Sequence, residues 1–286
     1  MSSTRTIRSV HTVADLRAQV GRWRAGGESV ALVPTMGALH AGHVALMEAA
    51  RGEADHVVVS IFVNPTQFAP TEDLSRYPRT LEADLDKADA AGTELAFVPD
   101  AGEIYGEGFC TTISLAGPAL GLETDFRPTH FAGVATVVAK LLIQTLPDVA
   151  LFGQKDYQQL QVVTRLARDL DLPVRIVGVP TVREADGLAL SSRNVYLGRE
   201  ERAAAPTLYR ALSEAAAAIA AGEPIANAVD AARHEVIAAG FALDYLEARH
   251  AATLAPIASP AEGPVRLLLA ARIGTTRLID NLAIPD

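Results

Sequence analysis

The feature that most constrains the fold is a series of short apolar, β-branched runs, each separated from the next by a longer stretch of helical pattern. Residues 29–35 (SVALVPT), 56–64 (HVVVSIFVN), 94–99, 149–152 and 174–179 read as strands. Residues 43–53, 80–91, 130–146 and 156–172 read as the helices between them. A strand that is apolar at nearly every position is buried on both faces. Strands of that kind alternating with helices imply a parallel sheet covered on both sides, with right-handed crossovers. The expected fold is therefore α/β, a Rossmann-like doubly wound parallel sheet, over residues 1–181. Beyond it the order changes. Two alanine-rich helices, near 200–221 and 225–239, precede strand-like runs at 242–249, 265–272 and 277–284. Helices followed by consecutive strands predict a second, smaller α+β C-terminal domain, residues 182–286. A chain of 286 residues has room for about two domains.

Charge and cysteine usage narrow the partners. The chain carries 25 basic and 34 acidic residues, a net charge of −9. That field repels a phosphodiester backbone, and there is no lysine/arginine cluster to reverse it, so no nucleic acid is expected. The single cysteine, Cys110, precludes an intramolecular disulfide and a cysteine-only metal site. No run reaches the roughly 18 apolar residues of a membrane-spanning helix. The first twenty residues show no signal-peptide core. The expectation is a soluble, cytoplasmic protein that binds no membrane.

In a doubly wound sheet, ligands sit beyond the carboxyl ends of the strands. The residues after each strand are thus the candidates. After the first run come Met36, Gly37, Ala38, Leu39, His40, Ala41, Gly42 and His43. His40 and His43, three apart, share a face if a helix starts here. Imidazole N–H groups beside a helix N-terminus suit phosphate oxygens. A plain helix cap with one buried histidine is the alternative, as is half of a zinc site, although no cysteine or acidic pair completes one at the usual spacing. After the second run, Asn64-Pro65-Thr66-Gln67 is either a turn or a neutral amide placed at a pocket mouth. After the fourth come Gly153, Gln154, Lys155 and Asp156, with Gln159 on the helix that follows. Gly153 permits a tight turn, Asp156 suits a helix cap, and Lys155 is either a phosphate-seeking cation or a solvated surface lysine. After the fifth come Val182 and then Leu190, Ser191, Ser192 and Arg193. Their hydroxyls and guanidinium form either a phosphate acceptor or a cap with a surface arginine. Four such clusters in an acidic chain point to a small, highly anionic ligand such as a nucleoside triphosphate. There is no GxxxxGK[ST] and no GxGxxG, so neither a glycine-rich phosphate cradle nor a nicotinamide cofactor is expected.

The strings themselves carry a resemblance. His40-Ala41-Gly42-His43 resembles the HxGH signature of a nucleotidyltransferase superfamily, and Leu190-Ser191-Ser192-Arg193 its second, mobile-loop signature. PTMGALHAGH, SIFVNPTQF, FGQKDYQQ, VREADGLALSSRN and GTTRLIDNLAI are similar, in that order, to the pantoate–β-alanine ligases. The resemblance implies that ATP, with Mg2+, and pantoate form pantoyl adenylate and pyrophosphate, and that β-alanine then displaces AMP. It implies an ATP site at residues 36–43, 153–156, Val182 and 190–193. His43 is carried as proton donor, and His40, Lys155, Ser191, Ser192 and Arg193 act beside it. Gln67 and Gln159 are expected to hold pantoate, Gln67 also β-alanine, with Asn64, Tyr77 and Arg127 nearby. Family members are typically homodimeric. Three departures stand out. Asp84 alone matches a paired acid that in some members helps hold magnesium. Gln154 stands where an acid is common, and Leu190 replaces a frequent methionine, a swap that conserves volume.

Overall fold

The computed structural model describes residues 5–68 and 74–285. Along the chain run β1 (Arg8–Val10), α1 (Val13–Ala25), β2 (Val30–Thr35), α2 (Ala41–Arg51), β3 (His56–Ile61), α3 (Leu81–Ala90), β4 (Leu95–Phe97), α4 (Ala101–Ile104), α5 (Glu123–Phe126), α6 (His130–Thr145), β5 (Val149–Gly153), α7 (Tyr157–Asp169) and β6 (Arg175–Val179). These are followed by α8 (Arg199–Ala204), α9 (Thr207–Ala220), α10 (Ile225–Ala238), β7 (Ala242–His250), β8 (Val265–Ile273) and β9 (Thr276–Ala283). The chain divides into two compact units. One comprises Met1–Leu115, Arg127–Gln154 and Val162–Pro180, and the other Ala116–Phe126, Lys155–Gln161 and Thr181–Asp286.

The first unit holds a six-stranded parallel sheet in the order β1-β4-β3-β2-β5-β6. Its central strands, β2 to β5, are apolar at almost every position because both faces are covered. Ala31, Val33, Val57, Val59 and Leu151 cluster with Leu46, Met47 and Ala50 of α2 and Leu85 and Ala88 of α3. Alternation turns Leu32, Val58 and Phe97 to the opposite face, and they are equally buried. There α6 lies against β2 and packs with α1. The expected doubly wound sheet is thus the observed one. Its order reverses at β2: the chain steps from β2 to β3 on one side and later places β5 on the other. The segments after β2 and β5 therefore flank the switch point, where an open α/β sheet leaves a crevice.

The second unit holds an antiparallel sheet, β7-β8-β9. Leu208, Ala211 and Leu212 of α9 and Ala228, Val229 and Ala232 of α10 cover one face through Leu246, Leu267, Leu269 and Ala271. On the other face, Leu122 joins Tyr245, Leu268 and Ala270. A buried ion network pins the same segment. Arg277 donates to both carboxylate oxygens of Glu123, at 2.7 and 2.8 Å, and to Asp244 at 2.7 Å. The Tyr245 hydroxyl donates to Glu123 at 2.8 Å. Burial first, and then the Glu123 charge, hold that phenol well above its usual range, so it stays a donor. The helix expected near 200–221 is two helices, α8 and α9. Pro206, which cannot donate to a helical ladder, separates them.

Candidate active site

The segment from β2 to α2 turns on the two histidines. His40 is the N-cap of α2, in extended backbone, and its Nδ1 accepts the Gly42 N–H at 3.1 Å. The His43 Nδ1 in turn accepts the His40 N–H at 3.2 Å. The two rings cap the helix reciprocally, with centroids 4.1 Å apart. This arrangement fixes their chemistry. A neutral imidazole that accepts at Nδ1 keeps its hydrogen on Nε2. Both rings are thereby set as Nε2–H donors at the positive end of α2. The plain-cap reading and the phosphate reading are therefore compatible, since the cap fixes the tautomers that phosphate binding needs. Gly42 leaves room for the His40 ring, because a Cβ there would lie 2.9 Å from it.

The turn before the histidines is held from α3. Ala38 has a left-handed backbone, φ +50°, which costs a non-glycine residue roughly 1–2 kcal/mol. The Asp84 carboxylate takes the Ala38 N–H at 2.9 Å and the Leu39 N–H at 2.7 Å, and also the Thr80 hydroxyl at 3.1 Å. One helical turn on, the Lys87 ammonium donates to the Leu39 carbonyl at 2.5 Å. Charge-assisted bonds to backbone amides are among the stronger ones. Asp84, the residue expected to help hold magnesium, is buried and accepts from three donors, so in this structure its carboxylate is engaged by the loop. Its neighbours Glu82 and Asp86 pair with Arg5. Lys87 had no signal in the sequence.

Beyond β3, a buried amide pair forms a shelf. Asn64 Nδ2 donates to Gln67 Oε1 at 3.1 Å and to the Gly133 carbonyl at 3.2 Å. Asn64 Oδ1 accepts from the Tyr105 hydroxyl at 2.7 Å. The Gln67 Nε2 lies 2.9 Å from the Met36 sulfur, which joins this shelf to the histidine segment. The Gln67 carbonyl is contacted by His130 Nδ1 at 3.0 Å and by Arg127 at 3.4 Å. Gly133 of α6 lets the shelf sit this close, since a Cβ there would fall 2.5 Å from the Thr66 carbonyl oxygen. Tyr77 stacks edge-on against Phe68, with centroids 5.8 Å apart. In the first unit the structure therefore brings together Met36, His40, His43, Asn64, Gln67 and Arg127, and adds Tyr105 and His130. Gln154, just after β5, ties to the Gly178 carbonyl of β6.

The second unit carries the remaining candidates. Lys155 lies in a short 3₁₀ turn, Gln154–Asp156, with its ammonium 3.9 Å from Asp156. Asp156, expected as a helix cap, belongs to this turn. Gln159 is half-buried on α7. Val182 and Leu190 meet in a hairpin: the Leu190 N–H donates to the Val182 carbonyl at 3.0 Å, and Arg183 bridges to Ala189. Arg202 braces the hairpin through Glu184 and Asp186, both at 2.6 Å. Beyond it, Ser191 caps the 3₁₀ turn Ser192–Tyr196 by accepting the Arg193 N–H at 3.2 Å. The serine and arginine side chains follow directly from a braced hairpin.

A family model described as pantoate-beta-alanine ligase matches residues 8–283. The chain belongs to that family. Pantothenate synthetase of Rhodopseudomonas palustris is 59% identical over 96% of this chain and 97% of its own. The Bradyrhizobium enzyme of the same name is 58% identical over 98% and 100%. Among solved structures, the pantothenate synthetase of Thermus thermophilus matches with a TM-score of 0.92 at 50% identity, over 98% of this chain and 100% of that one. The pantoate-beta-alanine ligase of Francisella tularensis, complexed with beta-gamma ATP and beta-alanine, matches at 0.82 and 32% identity, over 97% of each chain.

Proposed function

We infer that the chain condenses pantoate with β-alanine at the expense of ATP, by way of pantoyl adenylate. The observation that carries the chemistry is the reciprocal cap of His40 and His43, which presents two fixed Nε2–H donors at a helix N-terminus beside the sheet's switch point. The substrates follow from the family and from the ATP and β-alanine held by the Francisella protein.

In the first step a carboxylate oxygen of pantoate attacks the α-phosphorus of ATP. The bond from that phosphorus to the bridging oxygen breaks, and pyrophosphate leaves with the electron pair. Charge grows on the phosphoryl oxygens and on the leaving group, so preorganised donors lower the barrier. His40 and His43, with Lys155, Ser191, Ser192 and Arg193, serve as those donors. Residues 36–43, Gly153, Gln154, Asp156, Val182 and Leu190 line the nucleotide. The attacking carboxylate must stay nucleophilic, and a bidentate arginine would damp it. The neutral amides of Gln67 and Gln159 orient pantoate without adding full charge, with Asn64, Arg127 and Tyr77 supporting them. In the second step the β-alanine amine attacks the acyl carbon, the acyl–oxygen bond to AMP breaks, and the nitrogen gives up a proton. The same reading makes the protein a cytoplasmic homodimer that takes ATP as its magnesium complex; the dimer and the magnesium rest on the family resemblance, the cytoplasmic placement also on the sequence.

The test is isotope exchange. Labelled pyrophosphate should enter ATP when pantoate is present and β-alanine is absent. Exchange that needs β-alanine, or proceeds without pantoate, would contradict the two-step scheme.

A further inference from the structure

Strand β9 contains an anomaly. It is an edge strand, yet two consecutive polar residues, Asp280 and Asn281, are only 4% and 2% exposed. Consecutive strand residues face opposite ways, so two different surroundings have each taken up a polar group. Burying such groups is costly unless they are bonded, and an apolar pair of similar volume often does as well for stability alone.

Their partners are specific. Asn281 Nδ2 donates to the Lys155 carbonyl at 2.8 Å, and its Oδ1 accepts from Arg266 Nε at 2.7 Å. The Arg266 guanidinium carbon lies over the Tyr157 ring, 4.2 Å from its centroid. Asp280 takes both terminal nitrogens of Arg183, at 2.6 and 2.8 Å. Arg183 also donates to the Gly187 carbonyl at 3.0 Å and stacks on Tyr209 at 3.9 Å. Arg183 stands next to Val182, inside the hairpin that leads to Ser191, Ser192 and Arg193. Two adjacent residues of one strand thus hold the backbone of Lys155 and the base of the serine–arginine hairpin.

We propose that Asp280 and Asn281 are positioning residues for adenylation, with Asn281 setting the backbone from which the Lys155 ammonium reaches and Asp280 setting the hairpin through Arg183. The proposal rests on the adenylation reading above. A lysine side chain is long and rich in rotamers. Anchoring its carbonyl removes the further freedom of its backbone turn. Misplacement of a catalytic group by about 1 Å can cost on the order of 100-fold in rate.

The discriminating variant is Asn281→Asp. It is isosteric and still accepts from Arg266, but it presents an oxygen to the Lys155 carbonyl in place of a donor. Pantoate-dependent ATP–pyrophosphate exchange should lose about 10- to 100-fold in kcat/KM for ATP. The KM for pantoate should stay within about twofold. Conversion of supplied pantoyl adenylate and β-alanine to pantothenate should change by less than about threefold, because the adenylated substrate bypasses the step that Lys155 serves. Asn281→Ala, which only deletes the donor, gives a second route to the same split, and a thermal melt of each variant confirms that it is folded. Equal loss in both half-reactions, or a wild-type rate of exchange in either folded variant, would overturn the proposal. Absence of pantoate-dependent exchange in the unaltered enzyme would instead overturn the adenylation reading itself.

Discussion

Lys155→Ala is expected to slow pantoyl-adenylate formation by about 10³-fold while leaving the melting temperature almost unchanged. The two halves of that expectation have separate causes. As pyrophosphate departs, negative charge grows on its oxygens. An ammonium about 4 Å away, at an effective dielectric constant of about 20, is worth on the order of 4 kcal/mol. That corresponds to about three decades in rate. Stability is another matter. The lysine's ionic partner, Asp156, is 3.9 Å away and its side chain is 49% exposed, and such pairs contribute about 0–1 kcal/mol. The measurement is single-turnover quenching of pantoyl adenylate alongside a thermal melt. Near-normal adenylation would remove Lys155 from the chemistry. A loss of adenylation matched by a large drop in melting temperature would assign the residue to the fold instead.

The second large effect is expected at Asp84. Asp84→Asn keeps the shape but leaves one oxygen to accept, and turns an NH₂ group toward one of the two backbone N–H groups. Each hydrogen bond to the charged carboxylate is worth about 1.5–3 kcal/mol. The Ala38–Leu39 turn, left-handed at Ala38, loses one such bond and gains a donor–donor contact. The displaced turn carries His40 and His43 with it, and adenylation should fall by about 100-fold. The readout that separates this from metal binding is the magnesium dependence of the remaining activity. With Asp84 as a clamp on the loop, the magnesium concentration for half-maximal rate stays where it was. A shift of tenfold or more toward higher magnesium would return Asp84 to the metal.

What the sequence disclosed, and what it hid, follows from the range of the interactions. Strands β2 and β3 were plain because burial on both faces leaves VALVPT and HVVVSI apolar at almost every position. The histidine pair was plain because i and i+3 on one helix turn is a local relation. Strand β1 gave no signal: it is three residues long, and only Val10 in it is buried. Helix α1 was equally silent, since Leu16 and Val20 are its only fully buried residues. The break at Pro206 could have been read, because proline removes a helical donor, but the alanine-rich surroundings carried the helical pattern across it. The loop-holding bonds of Asp84 were invisible because its partners, Ala38 and Leu39, lie more than forty residues away. Asn281 and Lys155, 126 residues apart, share no local pattern at all. Candidate residues with local spacing were legible. The residues that hold them in place belong to the tertiary fold.

The central claim is that a carboxylate oxygen of pantoate displaces pyrophosphate from the α-phosphorus. Pantoate labelled with ¹⁸O in its carboxylate, turned over with ATP and β-alanine, tests it at the bond that forms. Mass spectrometry should find one ¹⁸O in each AMP and none in pyrophosphate. Unlabelled AMP, or label in pyrophosphate or inorganic phosphate, would contradict it.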